Sequence, residues 1–394
     1  MQVKGNLQLM KEINTAMIMN LLHREGKITR AELTKMTKLS ATTVSVLIEE
    51  LIAKNFVEEI GEKITPGAGR RAISLQINKD GGYVIGISLG NNSLICAVMN
   101  LHGECVTEYK TKIAIGNDSL AERINSALKA CMDQVENLNV DLILGIGIST
   151  PGIIDEQEET VLYSSLLKLN NFNLRKQIGA FFPNIPIKIV NDSNAAAFAE
   201  HYFGAAKSKS SLIYLTINEG IGSGIILGSD IHSGYKGGAG EIGHIPVDLN
   251  GELCTCGQQG CVETVLTSPY VLMKCRRLAE EMKLSVPQTI EEIIARYENG
   301  EAWLDPVFDQ ILNVVRLMLA SMINFISPEI VIVEGWLNKS EKLTDKLRAA
   351  LEAFPFPFPF SGDRIQPATF GEKGALYGSA TLMLQKIFSA SVLK

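Results

Sequence analysis

Apolar residues first recur at helical spacing and then give way to strand-length runs. Ile13, Met17, Ile18, Leu21 and Leu22 form a stripe that stops at Gly26. Thr29-Arg30-Ala31-Glu32 is a capping box, and it predicts a second, short helix with Leu33 and Met36 inward. Ser40 is a good N-cap for a third helix, in which Val44, Leu47, Ile48 and Leu51 make the inner face. Phe56–Ile60 and Ala72–Leu75 then read as two short strands around a Gly/Pro-rich turn. Beyond residue 82 the pattern changes. The apolar runs Tyr83–Gly90, Asn91–Met99, Leu142–Ser149, Ile187–Val190, Leu212–Ile217 and Glu329–Val333 alternate with helical stretches, so the body is α/β. Polar loops follow its strands, at the ends where such folds place ligands.

Two short helices joined by a tight turn, followed by a β-hairpin, describe a winged helix-turn-helix over residues 1–75. The third helix starts with small polar residues, which let a helix approach the major groove closely. Arg30, Ser40, Ala41, Thr42, Thr43 and Ser45 are the expected DNA-contacting residues. Arg70 and Arg71, in the wing beside Gly67 and Gly69, are expected to reach phosphate or a narrow minor groove. A three-helix protein-interaction module is the alternative.

The densest chemistry lies between Gly240 and Glu263. His244, Cys254, Cys256 and Cys261 have the spacing and donor types of a closed structural Zn2+ site. With four protein ligands no position stays open for catalysis. The same stretch carries two carboxylates, Glu241 and Glu263, with no metal role.

Charge sharpens this picture. The net charge is −6, but residues 1–75 hold 11 Lys/Arg against 8 Asp/Glu, leaving −9 on the rest. A mildly basic head on an acidic body fits DNA contact by the head alone. The other cysteines, Cys96, Cys105, Cys131 and Cys275, show no paired spacing, lie in apolar stretches and read as buried thiols. No signal peptide or membrane-spanning segment is evident, so a cytoplasmic location is expected.

The zinc run, the Glu241-Ile-Gly-His244 signature, the strand-end Asn191-Asp192 and the winged head together resemble a repressor-type member of the ROK family (repressors, open reading frames and sugar kinases). The resemblance covers essentially the whole chain. It implies an actin/hexokinase (ribonuclease H-like) body in two lobes behind the winged head, with residues 82–195 and 376–394 in one lobe and 196–375 in the other. It implies a monosaccharide such as xylose, glucose or N-acetylglucosamine in the interlobe cleft, bound by Gly152, Asn191, Asp192, Glu241, His244 and Glu263, with Ser164 or Ser165 near it. Asp192 is the general-base position of kinase members. It also implies operator DNA as partner, a homodimer or tetramer, and in some members control by a phosphotransferase-system protein.

The chain departs from the kinase pattern at every nucleotide loop. Ser88, Gly90 and Asn91 stand where kinases have Asp-x-Gly-Gly-Thr. Asn218 and Glu219 replace the second phosphate loop's Gly-Thr, and Glu334-Gly335 replaces a Gly-Gly pair. A carboxylate where a polyphosphate should lie repels it. The expectation is a sugar-responsive repressor of carbohydrate-utilisation genes without kinase activity. An active kinase and a repressor with a vestigial sugar site are the alternatives. The Phe354-Pro-Phe-Pro-Phe-Pro-Phe360 run is expected to be extended, packed on the body rather than docking a partner.

Overall fold

The computed structural model describes residues 4–63, 72–91, 93–113, 120–136 and 138–389. The head begins with α1 (Lys4–Glu25), β1 (Ile28–Thr29), α2 (Arg30–Thr37) and α3 (Ala41–Ala53), followed by β2 (Val57–Lys63) and β3 (Ala72–Ile77). The capping box forms as read: Thr29 accepts from the Glu32 amide at 3.2 Å, and Glu32 accepts from the Thr29 amide at 2.9 Å. Ser40 caps α3 through the Thr43 amide.

The apolar stripe of α1 is only partly buried, and one inward assignment on α2 is corrected. On α1 the buried residues are Ala16, Ile18, Met19 and Leu22, whereas Ile13 and Met17 are exposed. On α2 Met36 is exposed and Thr37 takes the inner position, its hydroxyl satisfied by the Leu33 carbonyl. The wing gains a strand that the sequence did not suggest. Ile28 and Thr29 pair antiparallel with Leu75 and Ser74, so the order is β1-β3-β2.

The chain divides into two compact units, 1–152 with 157–190 and 379–394, and 153–156 with 191–378. The first holds the head and a five-stranded sheet built from β4 (Tyr83–Leu89), β5 (Ser93–Asn100), β6 (Cys105–Lys112), β7 (Ile143–Thr150) and β11 (Ile187–Asn191). Its order is β11-β7-β4-β5-β6, with β4 and β7 parallel. α4 (Leu120–Met132) packs on it. β8 (Ile153–Asp155) follows β7, and β9 (Thr160–Ser164) and β10 (Leu169–Phe172) make a hairpin before α5 (Leu174–Gly179). Cys105 opens the edge strand β6 and is exposed, against the expectation of a buried thiol; Cys96, Cys131 and Cys275 are buried.

Hydrogen bonds tie the head to the segment before β4 and to the C-terminal helix. Asn78 donates to the Asn55 carbonyl at 3.0 Å, the Leu101 amide donates to the Lys79 carbonyl at 3.0 Å, and Asn20 donates to the Phe388 carbonyl at 2.9 Å. His23 stacks on the Phe388 ring, 4.8 Å between centroids. Gly81 lies so close to Asn55 that a Cβ there would sit 2.1 Å from its carbonyl oxygen.

The second unit contains α6 (Asp192–Tyr202), then β12 (Ser211–Ile217), β13 (Ile221–Leu227) and β14 (Asp230–Ile231). α7 (Glu263–Leu266), α8 (Ser268–Glu281), α9 (Ile290–Glu298), α10 (Asp305–Ile326), β15 (Ile330–Gly335), α11 (Glu341–Glu352) and β16 (Ile365–Pro367) follow. The sheet order is β14-β13-β12-β15-β16, with β15 parallel to both neighbours. α12 (Gly374–Phe388) starts in this unit and ends in the first.

α10 corrects the statement that no segment is long enough to span a bilayer. The helical stretch Ala302–Ile326 passes by length and composition, but more than half of it is buried. Val307, Phe308, Ile311, Val315, Leu319 and Ile323 face the core of the second unit. The Phe354–Phe360 rings also pack on that core, their centroids 4.7 to 5.6 Å apart along the run, with the prolines outside.

Candidate sugar and metal sites

β11 ends at Asn191, whose side chain caps α6 by accepting from the Asn194 amide at 3.1 Å. Asn191 therefore does the capping that Asp192 alone would have suggested. Asp192 is the first residue of α6, and its carboxylate accepts from the Ser193 amide at 2.8 Å. Burial raises its carboxyl above the ordinary range, and the backbone donors partly offset this. The helix is free to start here because the next residues are small. Gly222 and Gly224 lie against Ser193 and Ala197, where any Cβ would clash.

Glu241 precedes a 3-10 turn, Ile242–His244, that carries His244. Burial raises the Glu241 carboxyl, His244 lowers it, and the charges of Asp192 and Glu263 raise it again. The structure thus brings Asp192, Glu241, His244 and Glu263 into one electrostatic neighbourhood of the second unit. Glu263 opens α7, and its Oε1 accepts from the Ile221 amide at 3.4 Å. Gly152 belongs to the first unit. Its φ of +111° and its approach to the Tyr163 carbonyl and Ser164 leave no room for a side chain. Ser164 therefore borders Gly152.

His244, Cys254, Cys256 and Cys261 present ligand atoms that all lie within 4.8 Å of one another. Cys254 Sγ is 3.7 Å from His244 Nδ1, and Cys256 Sγ is 3.7 Å from Cys261 Sγ. Sulfurs about 2.3 Å from a tetrahedral Zn2+ stand about 3.8 Å apart, so the donor set fits that ion. The loop folds to suit it. Gly260 has a positive φ, and a Cβ there would meet the Asp248 carbonyl at 1.5 Å. Burial pushes the Cys261 thiol up to about 12, so a cation bound there must displace a proton.

His244 spans both sites. Its Nδ1 faces the thiols, while Nε2 lies 3.9 Å from Glu241. Glu263 Oε2 lies 3.8 Å from Nδ1 and 3.7 Å from Cys254 Sγ, nearer the ligand set than the sequence reading supposed.

The phosphate-loop positions have other partners. Asn218 donates to Glu334 at 2.9 Å, and burial raises the Glu334 carboxyl. Asn218 and Glu334 are 116 residues apart in the chain, so their bond leaves no local signal in the sequence. Glu219 is exposed at the β12–β13 turn, and Ser88 sits half-buried near the end of β4.

In the head, Ala41, Thr42 and Ser45 lie on the open face of α3. The hydroxyls of Ser40 and Thr43 are 2.8 Å apart and bonded to each other. Arg30 is paired with Glu59 at 2.8 Å. Arg70 and Arg71 lie outside the described residues.

The ROK family profile matches residues 84–386, and a winged helix-turn-helix DNA-binding profile matches residues 13–58. The chain belongs to the ROK family. A putative xylose repressor of Caldicellulosiruptor sp. (strain Rt8B.4) is 30% identical over 404 residues, covering 98% of both chains. The xylose repressor of Caldicellulosiruptor bescii is 31% identical, with the same coverage. NagC of Escherichia coli, a DNA-binding transcriptional dual regulator, is 26% identical over 86% of this chain and 84% of its own. In structure, a ROK family transcriptional regulator homologous to the E. coli MLC protein superposes with a TM-score of 0.83 over 98% of both chains, at 24% identity. A ROK glucokinase from Streptomyces griseus reaches 0.66 over 76% of this chain and 99% of its own, also at 24%. The fold of this ROK protein is therefore the actin/hexokinase type behind a winged head. Its whole-length likeness to repressors and its helix-turn-helix make it a transcriptional regulator.

Proposed function

We propose that this ROK regulator represses carbohydrate-utilisation genes and is released from its operator by a monosaccharide. D-Xylose is the first candidate, because the relatives that match over the whole length carry that name. The observation that carries the proposal is the convergence of Asp192, Glu241, Glu263 and His244 at one strand-end region. A sugar loses water from several hydroxyls on binding and needs as many acceptors in return. Three carboxylates and an imidazole supply them, and Asn191 at the start of α6 is assigned to the same ligand.

Zn2+ in the His244, Cys254, Cys256 and Cys261 set would act as a cross-link. It would hold the 244–263 loop in place and fix which ring nitrogen of His244 remains for the sugar. His244 would then serve the metal through Nδ1 and the sugar through Nε2.

We infer no kinase activity. The Asn218–Glu334 bond and the Glu219 carboxylate occupy positions where a nucleotide's phosphates need backbone amides and cations. The protein is assigned to the cytoplasm, where its operator lies, and to a homodimer that presents two heads to a pseudo-palindromic site.

Fluorescence anisotropy of the operator-bound protein against a panel of aldoses and amino sugars tests the reading. One sugar should release DNA with a five- to hundredfold loss of affinity, corresponding to a coupling of about 1–3 kcal/mol. Release by a phosphotransferase protein, with no sugar effective, would replace the sugar reading with control by a protein.

A further inference from the structure

The open face of α3 has an unusual composition for a helix that reads DNA. Ala41, Thr42, Ser45, Val46 and Glu49 project from it at positions i, i+1, i+4, i+5 and i+8, which is one stripe of a helix. Apart from Ile52, which is half-buried, the other large apolar residues of α3 are fully used. Val44, Leu47, Ile48 and Leu51 are at most 4% exposed, while Val46 is 48% exposed. Among the described residues of the head, nothing covers this mid-helix valine.

The residues that usually read purines are absent from this helix. From Ala41 to Ala53 there is no Arg, Lys, Asn or Gln, so no bidentate contact to guanine or adenine can come from it. Hydroxyls are also scarce. Ser40 and Thr43 bond each other, and Ser40 caps the helix, which leaves Thr42 and Ser45. What the stripe does offer is methyl groups: the Ala41 Cβ, the Thr42 Cγ2 and both Val46 Cγ atoms. Glu49 at its far end disfavours guanine, whose major-groove edge carries only acceptors.

In the major groove one base presents an apolar group, the C5-methyl of thymine. We propose that α3 selects its operator half-site by packing Ala41, Thr42 and Val46 against thymine methyls, with Val46 as the specificity-determining residue. This rests on the reading that the head binds operator DNA, and it adds the chemical class of the bases read. Each methyl withdrawn from water against such a surface contributes about fourfold in affinity.

The test uses the full-length, zinc-loaded protein. Duplexes are first selected from a random library, and the tightest is resynthesised with deoxyuridine in place of thymine in its half-sites. Uracil keeps every hydrogen-bonding group of thymine and lacks only the methyl. The wild type should bind the uracil duplex at least tenfold more weakly. Val46→Ala should bind the thymine duplex several-fold more weakly and lose much of its discrimination between the two. Equal affinity of the wild type for both duplexes would overturn the inference while leaving DNA binding intact. Undiminished discrimination by Val46→Ala would overturn the assignment to Val46. Failure to select any duplex would instead contradict the regulator reading beneath it.

Discussion

Asn218 Nδ2 donates to Glu334 Oε2 at 2.9 Å, joining the ends of two neighbouring parallel strands, β12 and β15. In this register Ile217 stands opposite Gly335, so the bond seals the strand ends with a carboxylate whose charge is disfavoured. Burial is the main cause, and Glu372 and Asp192 add repulsion.

That arrangement sets a pH dependence. A carboxyl raised in the folded state holds its proton more tightly there than in the unfolded chain. Its unfavourable contribution is therefore absent below the ordinary carboxylate range and grows as pH rises through the folded value. Glu334→Gln keeps the size and an acceptor for Asn218 while removing the charge. Its melting temperature should exceed that of the wild type at pH 7.5, and the difference should vanish near pH 4. A variant less stable than wild type at pH 7.5 would show that the charge is instead stabilised.

Asp192→Ala should abolish the calorimetric signal of the effector sugar, with affinity falling about tenfold to a hundredfold for the loss of one charged hydrogen-bond partner. Operator affinity should be unchanged. Loss of DNA binding together with the sugar would make the region structural rather than ligand-binding.

Cys261→Ser should lower the bound metal from one equivalent to well below it, measured by elemental analysis, and reduce sugar affinity in parallel. The mutated position is fully buried and its loop turns at Gly260, so the 244–263 segment should become protease-sensitive. Unchanged metal content would remove Cys261 from the ligand set.

Thr29→Ala removes one half of the capping box and should destabilise the protein by about 1 kcal/mol. DNA binding should weaken first at elevated temperature, since Thr29 ends β1 and caps α2 of the head. Circular dichroism melts of wild type and variant provide the comparison.

Much of this was legible in the sequence because it rests on local rules. The capping box at Thr29–Glu32, the Ser40 cap and the His244–Cys261 spacing each depend on a few neighbouring residues whose chemistry admits one arrangement. The inward faces of α1 and α2 were not, because a stripe such as Ile13-Met17-Leu21 does not say which edge of it meets the core. Met19 and Thr37 won those places through tertiary packing. The bond between Asn218 and Glu334, and that between Asn20 and the Phe388 carbonyl, join residues 116 and 368 positions apart; no spacing rule reaches that far. The third wing strand was missed for a different reason, since Ile28 and Thr29 are too few to show any alternation.

The most direct test is isothermal titration of the purified protein with D-xylose, D-glucose, N-acetylglucosamine and ATP. The account expects one sugar to bind stoichiometrically, ATP to give no heat, and the sugar signal to disappear in Asp192→Ala. Micromolar ATP binding, or no binding by any sugar across a wider panel, would contradict it.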